Sequence, residues 1–211
     1  MSALLPSLVL ILVAYLLGSL SGSLLLGRLR GIDIRTQGSG NAGGTNALRT
    51  QGWKFALGVV LVDVGKGALA AWLALRFGPA QGALPAQALA YASAFAAVIG
   101  HVWPLWHGFR GGKGVGTLLG GLLVLWPAVV PWLLSAWLLV LVSSGYAGLA
   151  SVIAVACVVP LAWMGEADNA RRAFACAVAV LVLFTHRGNL RRLRTGTESR
   201  FERIRLLRRR A

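Results

Sequence analysis

Long apolar runs make up most of this chain, and they restrict it to folds that can exist in lipid. A helix crosses the hydrocarbon core of a bilayer with about 20 apolar residues. Lipid offers backbone groups no hydrogen-bond partners, so such runs fold as helices or as a closed barrel. Barrel strands would alternate polar and apolar residues, and these runs do not. The sequence therefore predicts an all-α, polytopic transmembrane helix bundle. The runs are Leu4–Leu26, Phe55–Phe77, Leu84–Trp106, Val115–Val142, Ala147–Met164 and Ala173–Phe184.

Composition indicates a single membrane domain with a basic end. Of the 211 residues, 57% are hydrophobic and 13% are charged, so residues 1–211 are expected to form one integral membrane domain. Residues 196–211 form a basic tail, and the net charge is +15. Arginine-rich ends of membrane proteins mark the cytoplasmic side and contact anionic lipid heads. We therefore expect anionic membrane lipids as partners, no nucleic acid, and a short interfacial helix within residues 200–210.

The number of spans follows from the fourth run, which is too long for one crossing and contains Pro127 and Pro131. A break there gives two short helices and seven spans in all. The alternative is five spans, in which Ala173–Phe184 dips into the membrane without crossing. Prolines commonly open turns, so seven spans are preferred. The two arrangements place Ser144 and Ala167 on opposite sides of the membrane. Both put the N-terminus outside and the polar motifs in the cytoplasm, at the bacterial inner membrane.

Three glycine-rich polar segments interrupt the apolar runs, at residues 38–49, 100–114 and 186–189. Glycine lets the backbone approach an anion closely, and each segment also carries a cation. In the first segment, Arg49 can clamp a phosphate with two parallel hydrogen bonds. In the second, Lys113 precedes a helix, whose N-terminus attracts phosphate. The segments lie at the ends of apolar runs, which indicates a substrate with a phosphate at one end and a hydrocarbon chain at the other.

Two other interpretations of these segments fail on their surroundings. Gly38, Gly40 and Gly43 match a dinucleotide-binding pattern, but no soluble βαβ unit surrounds them. Gly111-Gly112-Lys113-Gly114 resembles a nucleotide-binding loop, but His107 occupies the position of its first glycine. In the third segment, His186 and Asn189 are three residues apart, which puts them on one helix face. The chain has three histidines and no acidic pair near them, so neither a metal nor another cofactor is expected.

Two charged residues, Asp63 and Lys66, lie within the second apolar run at helical spacing. Opposite charges at this spacing can neutralise each other on one helix face. Alternatively, Lys66 can extend its ammonium group to the membrane surface.

The three segments together resemble the bacterial acyl-phosphate:glycerol-3-phosphate acyltransferase family (PlsY type). The family pattern G-S-G-N-x-G-x-T-N-x-x-R is similar to Gly38–Arg49 at every fixed position. The pattern G-H…F-x-G-G-K-G-V-A-T is similar to Gly100–Thr117, with Gly116 in place of the usual alanine. The pattern R-H-x-x-N-I-x-R-L-x-x-G-x-E is similar to Thr185–Glu198, with Thr185 and Leu190 as departures. The resemblance covers the whole chain in the correct order.

This resemblance implies an enzyme that transfers a fatty acyl group from acyl phosphate to the 1-hydroxyl of glycerol 3-phosphate. It also implies that a soluble acyl-phosphate synthase can be a partner. Lys113 and Arg49 would bind phosphates, Ser39 would bond the reacting head group, and His186 and Asn189 would position glycerol 3-phosphate. A transporter or flippase of a phosphorylated amphiphile is the alternative function. The expected catalytic residues are Ser39, Lys113 and His186, and the expected substrate-binding residues are Arg49, Asn189, Asn41, Thr45, Asn46, Gly111 and Gly112.

Overall fold

The computed structural model describes residues 4–80, 82–164 and 168–201, and within these ranges the regular structure is entirely helical. Most of the helix predicted within residues 200–210 lies outside the described residues. Ala167, whose side of the membrane distinguishes the two topologies, also lies outside them. Short 3-10 turns occur at Ile34–Thr36, Leu105–His107 and Pro127–Val129. The α-helices are α1 (Leu4–Gly18), α2 (Gly22–Leu29), α3 (Gly44–Gln51), α4 (Trp53–Phe77), α5 (Ala86–Val102), α6 (Val115–Leu125), α7 (Val130–Ser144), α8 (Ala147–Trp163), α9 (Asn169–Thr185) and α10 (Arg187–Arg194).

The helices divide into two compact units, Met1–Trp126 and Pro127–Ala211. In the first unit, α4 packs against α5 and α6, and α1 packs against α5. Small residues allow these close approaches. A Cβ on Gly18 would overlap the backbone of Ala97, and one on Gly120 would overlap the backbone of Val64.

The first apolar run does not form one continuous helix. Helix α1 ends at Gly18, α2 begins at Gly22, and the two axes differ by 47°. A break between helices leaves some backbone carbonyls without a helical N–H donor. The carbonyl of Leu20 accepts a hydrogen bond from the Lys66 side chain instead, at 2.9 Å. The break therefore serves an interaction inside the helix bundle.

In the second unit, the turn between α7 and α8 lies beside the third motif. Gly145 makes this turn with a positive φ of 80°. A Cβ on Gly148, near the start of α8, would lie 2.8 Å from the amide nitrogen of Asn189. The Phe201 N–H donates to the Gly145 carbonyl at 2.9 Å, and the Arg200 guanidinium stacks over the Tyr146 ring. The chain after α10 thus returns to the α7–α8 turn.

The predicted break in the fourth run is present, because α6 ends at Leu125 and α7 begins at Val130. The last run is longer than predicted, since α9 spans 17 residues. The Asp168 carboxylate caps α9 by accepting the Arg171 N–H at 2.7 Å, which starts the helix before its apolar part.

By length and composition, three helices of the described chain can each cross a membrane: α4, α5 with its extension to His107, and α7 with its preceding turn. The count is five if the bent pairs α1–α2 and α9–α10 are each one span. Helices α6 and α8 are apolar but shorter, at 11 and 17 residues.

Candidate active site

The first glycine loop is built around the buried side chain of Asn46, which is 1% exposed. Its Oδ1 accepts the Ser39 N–H at 2.9 Å, and its Nδ2 donates to the carbonyls of Ile34 at 3.1 Å and Gln37 at 3.0 Å. Gly38 has φ +56°, and a Cβ there would overlap Oδ1 of Asn46. Both N–H groups of the amide are engaged inside the loop. This geometry favours a structural role for Asn46, in which it holds Ser39 in place, rather than the predicted contact with substrate.

The other predicted ligands of the first motif lie on the outer side of this loop. Thr45 and Arg49 are four residues apart on one face of α3, whereas Asn46 and Ala47 on the opposite face are buried. Asn41 lies beside Gly43, the residue that precedes α3, since a Cβ on Gly43 would be 2.7 Å from the Asn41 amide nitrogen. Loop and helix together present polar side chains to one region of the first unit.

The second glycine loop is fixed to the end of α5 through its backbone. The Gly111 N–H donates to the Val102 carbonyl at 3.1 Å, and the Gly112 N–H donates to the His101 carbonyl at 3.1 Å. A Cβ on either glycine would overlap atoms of His101. Both N–H groups are therefore engaged within the protein, and a substrate contact by Gly111 and Gly112 stays a prediction. They shape the loop that carries Lys113, which is half-buried two residues before α6.

The two glycine loops meet at Gly112. A Cβ on Gly112 would lie 2.8 Å from the carbonyl oxygen of Ala42, in the middle of the first motif. No larger residue fits this approach without moving one of the loops. The first unit thus brings the loop of Ser39, which leads into α3 and Arg49, against the loop of Lys113.

Arg35 ties the two loops together from their outer side. Its guanidinium donates to the carbonyls of His107 at 3.0 Å and Arg110 at 3.2 Å. The same group forms an ion pair with Asp33 at 2.7 Å. Hydrogen bonding to Arg35 holds the pKa of Asp33 below its usual value, and Asp33 in turn raises the pKa of Arg35. No motif pointed to Arg35, because its acceptors are backbone carbonyls about 70 residues away.

A buried ionic cluster lies next to the second loop. Lys66 Nζ and Asp63 Oδ1 are 2.9 Å apart, and the two residues are 6% and 3% exposed. The predicted neutralisation of one charge by the other is confirmed, and extension of Lys66 to the membrane surface is wrong. His101 joins the cluster, with its Nδ1 2.9 Å from Lys66 Nζ.

The third motif, in the second unit, lies at the bend of 53° between α9 and α10. His186 is 3% exposed and joins the two helices, and Asn189 is 8% exposed on the first turn of α10. His186 Nδ1 lies 2.9 Å from the carbonyl oxygen of Val182. A carbonyl only accepts hydrogen bonds, so Nδ1 carries a proton and donates it to Val182.

Asn189 is oriented by a residue to which the sequence assigned no role. Its Nδ2 donates to Glu198 Oε1 at 2.5 Å, and the other carboxylate oxygen of Glu198 accepts from Arg192 Nε at 2.8 Å. Glu198 is the last fixed residue of the third family pattern, and this match was the sequence signal that could have identified it as a site residue. Without the fold, nothing indicates that the chain turns back after α10.

Comparisons with known proteins show the family of this chain. The model of the glycerol-3-phosphate acyltransferase family matches residues 8–196. A glycerol-3-phosphate acyltransferase of Brucella canis is 40% identical over 191 residues, covering 90% of each chain. One of Chlorobaculum tepidum is 40% identical and covers 92% of this chain and 95% of its own.

Solved structures give the same result at the level of the fold. The crystal structure of PlsY (YgiH), an integral membrane glycerol 3-phosphate acyltransferase, in its glycerol 3-phosphate form has a TM-score of 0.85 and 33% identity. Its lysophosphatidic acid form has a TM-score of 0.83, and both cover 92% of this chain and 95% of their own. These matches leave the transporter alternative without support. This chain belongs to the glycerol-3-phosphate acyltransferase family.

Proposed function

We propose that this multi-pass membrane enzyme transfers a fatty acyl group from acyl phosphate to the 1-hydroxyl of glycerol 3-phosphate. The hydroxyl oxygen forms an ester bond with the acyl carbon, while the bond from that carbon to the phosphate oxygen breaks. The bonding electrons leave with the phosphate, and the hydroxyl proton is released to it. The products are lysophosphatidic acid and inorganic phosphate, and the reaction begins phospholipid synthesis.

The meeting of the two glycine loops at Gly112 is the observation that carries this proposal. It brings the loop that leads into α3 and Arg49 together with the loop of Lys113 in one unit, and both substrates carry a phosphate that a cation can bind. Ser39 is exposed on the first loop, where its hydroxyl can bond the reacting head group. Acyl phosphate is a mixed anhydride with a good leaving group. Orientation and stabilisation of negative charge are therefore the main requirements.

The third motif supplies the groups that position glycerol 3-phosphate. His186 donates its Nδ1–H to the Val182 carbonyl, and a neutral ring would then present Nε2 as an acceptor suited to a hydroxyl of the glycerol. Asn189 is fixed by Glu198 and can orient the same substrate. Asn41 and Thr45 are secondary ligands of the first motif in this assignment.

We further propose that both units form one integral membrane domain with seven spans. In the second unit, the α7–α8 turn contacts the third motif, which supports two crossings, by α8 and α9, between them. In the five-span arrangement these two positions would lie on opposite sides. The motif ends of the helices carry most of the arginines and lysines, which supports a cytoplasmic active site at the inner membrane.

The surface near the first motif supports the proposed lipid contact. At the end of α2, Arg28 and Arg30 flank Leu29, which is 84% exposed, and Trp53 at the start of α4 is 65% exposed. Exposed cations beside apolar side chains suit a membrane surface with anionic head groups. A soluble acyl-phosphate synthase would deliver the acyl donor from the same side.

The donor is tested with the purified full-length protein in detergent micelles. Glycerol 3-phosphate is supplied with palmitoyl phosphate, palmitoyl-CoA or palmitoyl acyl carrier protein, and lysophosphatidic acid is measured. We expect product only with palmitoyl phosphate. Lys113→Met protein controls for contaminating enzymes. Comparable turnover with palmitoyl-CoA would contradict the assigned donor, and no turnover with any donor would contradict the activity.

A further inference from the structure

The ionic cluster of Asp63, Lys66 and His101 contains a histidine to which the proposed reaction gives no role. His101 is 3% exposed and lies near the end of α5, next to the loop of Lys113. Charged groups inside a membrane domain are costly and commonly serve a function. The question is what the buried imidazole contributes to the loop.

The hydrogen bonds of Lys66 determine where His101 carries its proton. An ammonium group has three N–H donors and no acceptor. Lys66 Nζ lies 2.9 Å from each of three partners: Asp63 Oδ1, the Leu20 carbonyl oxygen and His101 Nδ1. Nδ1 must therefore accept, which makes the imidazole neutral and leaves its proton on Nε2.

The opposite assignment fits the distances less well. A proton on Nδ1 could be donated to Asp63 Oδ1, but that distance is 3.4 Å. It would also place the Nδ1–H donor of His101 against an N–H donor of Lys66, because Nδ1 and Nζ are only 2.9 Å apart. Asp63 Oδ1 already accepts from Lys66 and from the Gly22 N–H, at 3.1 Å.

The protonated nitrogen of His101 faces the point where the two glycine loops meet. A Cβ on Gly112 would overlap Nε2 of His101, and the same point is 2.8 Å from the Ala42 carbonyl oxygen. The His101 carbonyl also accepts the Gly112 N–H at 3.1 Å. His101 thus contacts the loop of Lys113 through both its backbone and its side chain.

We propose that His101 is a positioning residue for the reaction. Lys66 fixes its tautomer, and the resulting Nε2–H sets the conformation of the Gly112 junction and so aligns Lys113 with a substrate phosphate. The alignment of Lys113 with a substrate rests on the proposed function, whereas the tautomer of His101 follows from the hydrogen bonds of the ionic cluster alone.

The tautomer is tested first, in the wild-type protein, because this measurement needs no activity. The chain has only three histidines, so ¹⁵N NMR of histidine-labelled protein in micelles can be assigned with single His107→Gln and His186→Gln variants. We expect His101 to show an unprotonated Nδ1 and a protonated Nε2 at neutral pH. A protonated Nδ1, alone or in a charged ring, would overturn the proposal.

Two amide variants that differ by one methylene then test the group at the position of Nε2. His101→Gln can place an N–H donor near that position, whereas the shorter amide of His101→Asn lies near the position of Nδ1, where its oxygen can accept from Lys66. We expect kcat/KM for glycerol 3-phosphate to fall about tenfold in the asparagine variant, in which no side-chain group reaches the Gly112 junction, and less than threefold in the glutamine variant. Circular dichroism and size-exclusion chromatography report whether each variant is folded.

Equal losses in the two folded variants, or none in the asparagine variant, would overturn the positioning role. An unfolded variant leaves the NMR result as the deciding measurement. If the wild-type protein lacks acyltransferase activity, the proposed function fails while the tautomer is still measured. The two failures are therefore distinguishable.

Discussion

Asn46 accepts the backbone N–H of Ser39 through its Oδ1 at 2.9 Å and thereby holds the exposed serine of the first glycine loop in place. Asn46→Asp keeps this acceptor but replaces the two N–H donors that bond the Ile34 and Gln37 carbonyls. It sets a buried carboxylate against two carbonyls, so we expect a destabilisation of about 2–3 kcal/mol and a large loss of activity. Thermal unfolding and initial rates in micelles measure both effects.

Gln51→Ala is the control for Asn46→Asp, because Gln51 bonds the side chain of Gln37 on the rim of the same loop. We expect it to change the rate less than about twofold, as is usual for surface positions. An aspartate variant as stable and active as this control would show that the amide of Asn46 does not organise the loop.

Lys113→Met should lower kcat by about two to three orders of magnitude while the protein still folds, since it removes a fixed cation from the reacting phosphates. Lys54→Met is the matched control, because Lys54 is an exposed lysine near the start of α4, stacked on Trp53. The control should stay within about threefold of wild type. The role of Lys113 is refuted if its own variant also stays within threefold.

His186 should act mainly by positioning glycerol 3-phosphate. We expect His186→Asn and His186→Ala to raise the apparent KM for this substrate and to regain activity at saturating concentration. A general base would instead contribute about 10²–10⁴-fold to kcat. It would also give the rate an acidic limb near pH 6.5, the reference histidine pKa. Rates are measured across pH and glycerol 3-phosphate concentration. No recovery at saturation, together with loss of that limb, would reassign His186 as the base.

Labelling from the two sides of the membrane tests the seven-span topology. In a background with Cys157 and Cys176 replaced by alanine, single cysteines are placed at Ser144 and Asp168. We expect Ser144 to react from the cytoplasm and Asp168 from the opposite side. Cysteines at Thr45, which is exposed on α3, and at Gly188 calibrate the cytoplasmic signal. The reverse pattern at Ser144 and Asp168 would indicate five spans.

Acid should weaken the connection that Arg35 makes between the two loops, because it protonates Asp33, the ion-pair partner of Arg35. Because Arg35 depresses the pKa of Asp33 in the folded protein, the ion pair stabilises the fold above the unfolded pKa of about 3.9. This contribution is lost as the pH falls through the lower, folded pKa. Both side chains are partly exposed, so the effect is expected to stay below about 1 kcal/mol. Melting temperatures from pH 7 to 3 should fall less in Asp33→Asn than in wild type, and parallel curves would argue against the pair.

The sequence predicted the helices and the three motifs well, because apolar length and local glycine spacing are properties of neighbouring residues. It also predicted the break near Pro127 and the ion pair of Asp63 with Lys66, which needs only the helical repeat. The failures concern groups whose partners lie outside their own helix or loop. The N–H of Gly112 is used by His101, and Asn189 depends on Glu198, a residue beyond the end of its helix. Such pairings depend on tertiary packing, which spacing does not encode.

The three-residue separation of Asp63 and Lys66 also bears on how α4 enters the bilayer during biosynthesis. On the insertion scale, each charge at the centre of a helix opposes partitioning by about 2.5–3.5 kcal/mol. Since the two groups can pair within a single helix, the nascent segment can cross the translocon as a neutral dipole before any neighbouring helix has arrived. The acceptors at Leu20 and His101 would then be added as the bundle assembles, so the cost of the buried ions is met in stages.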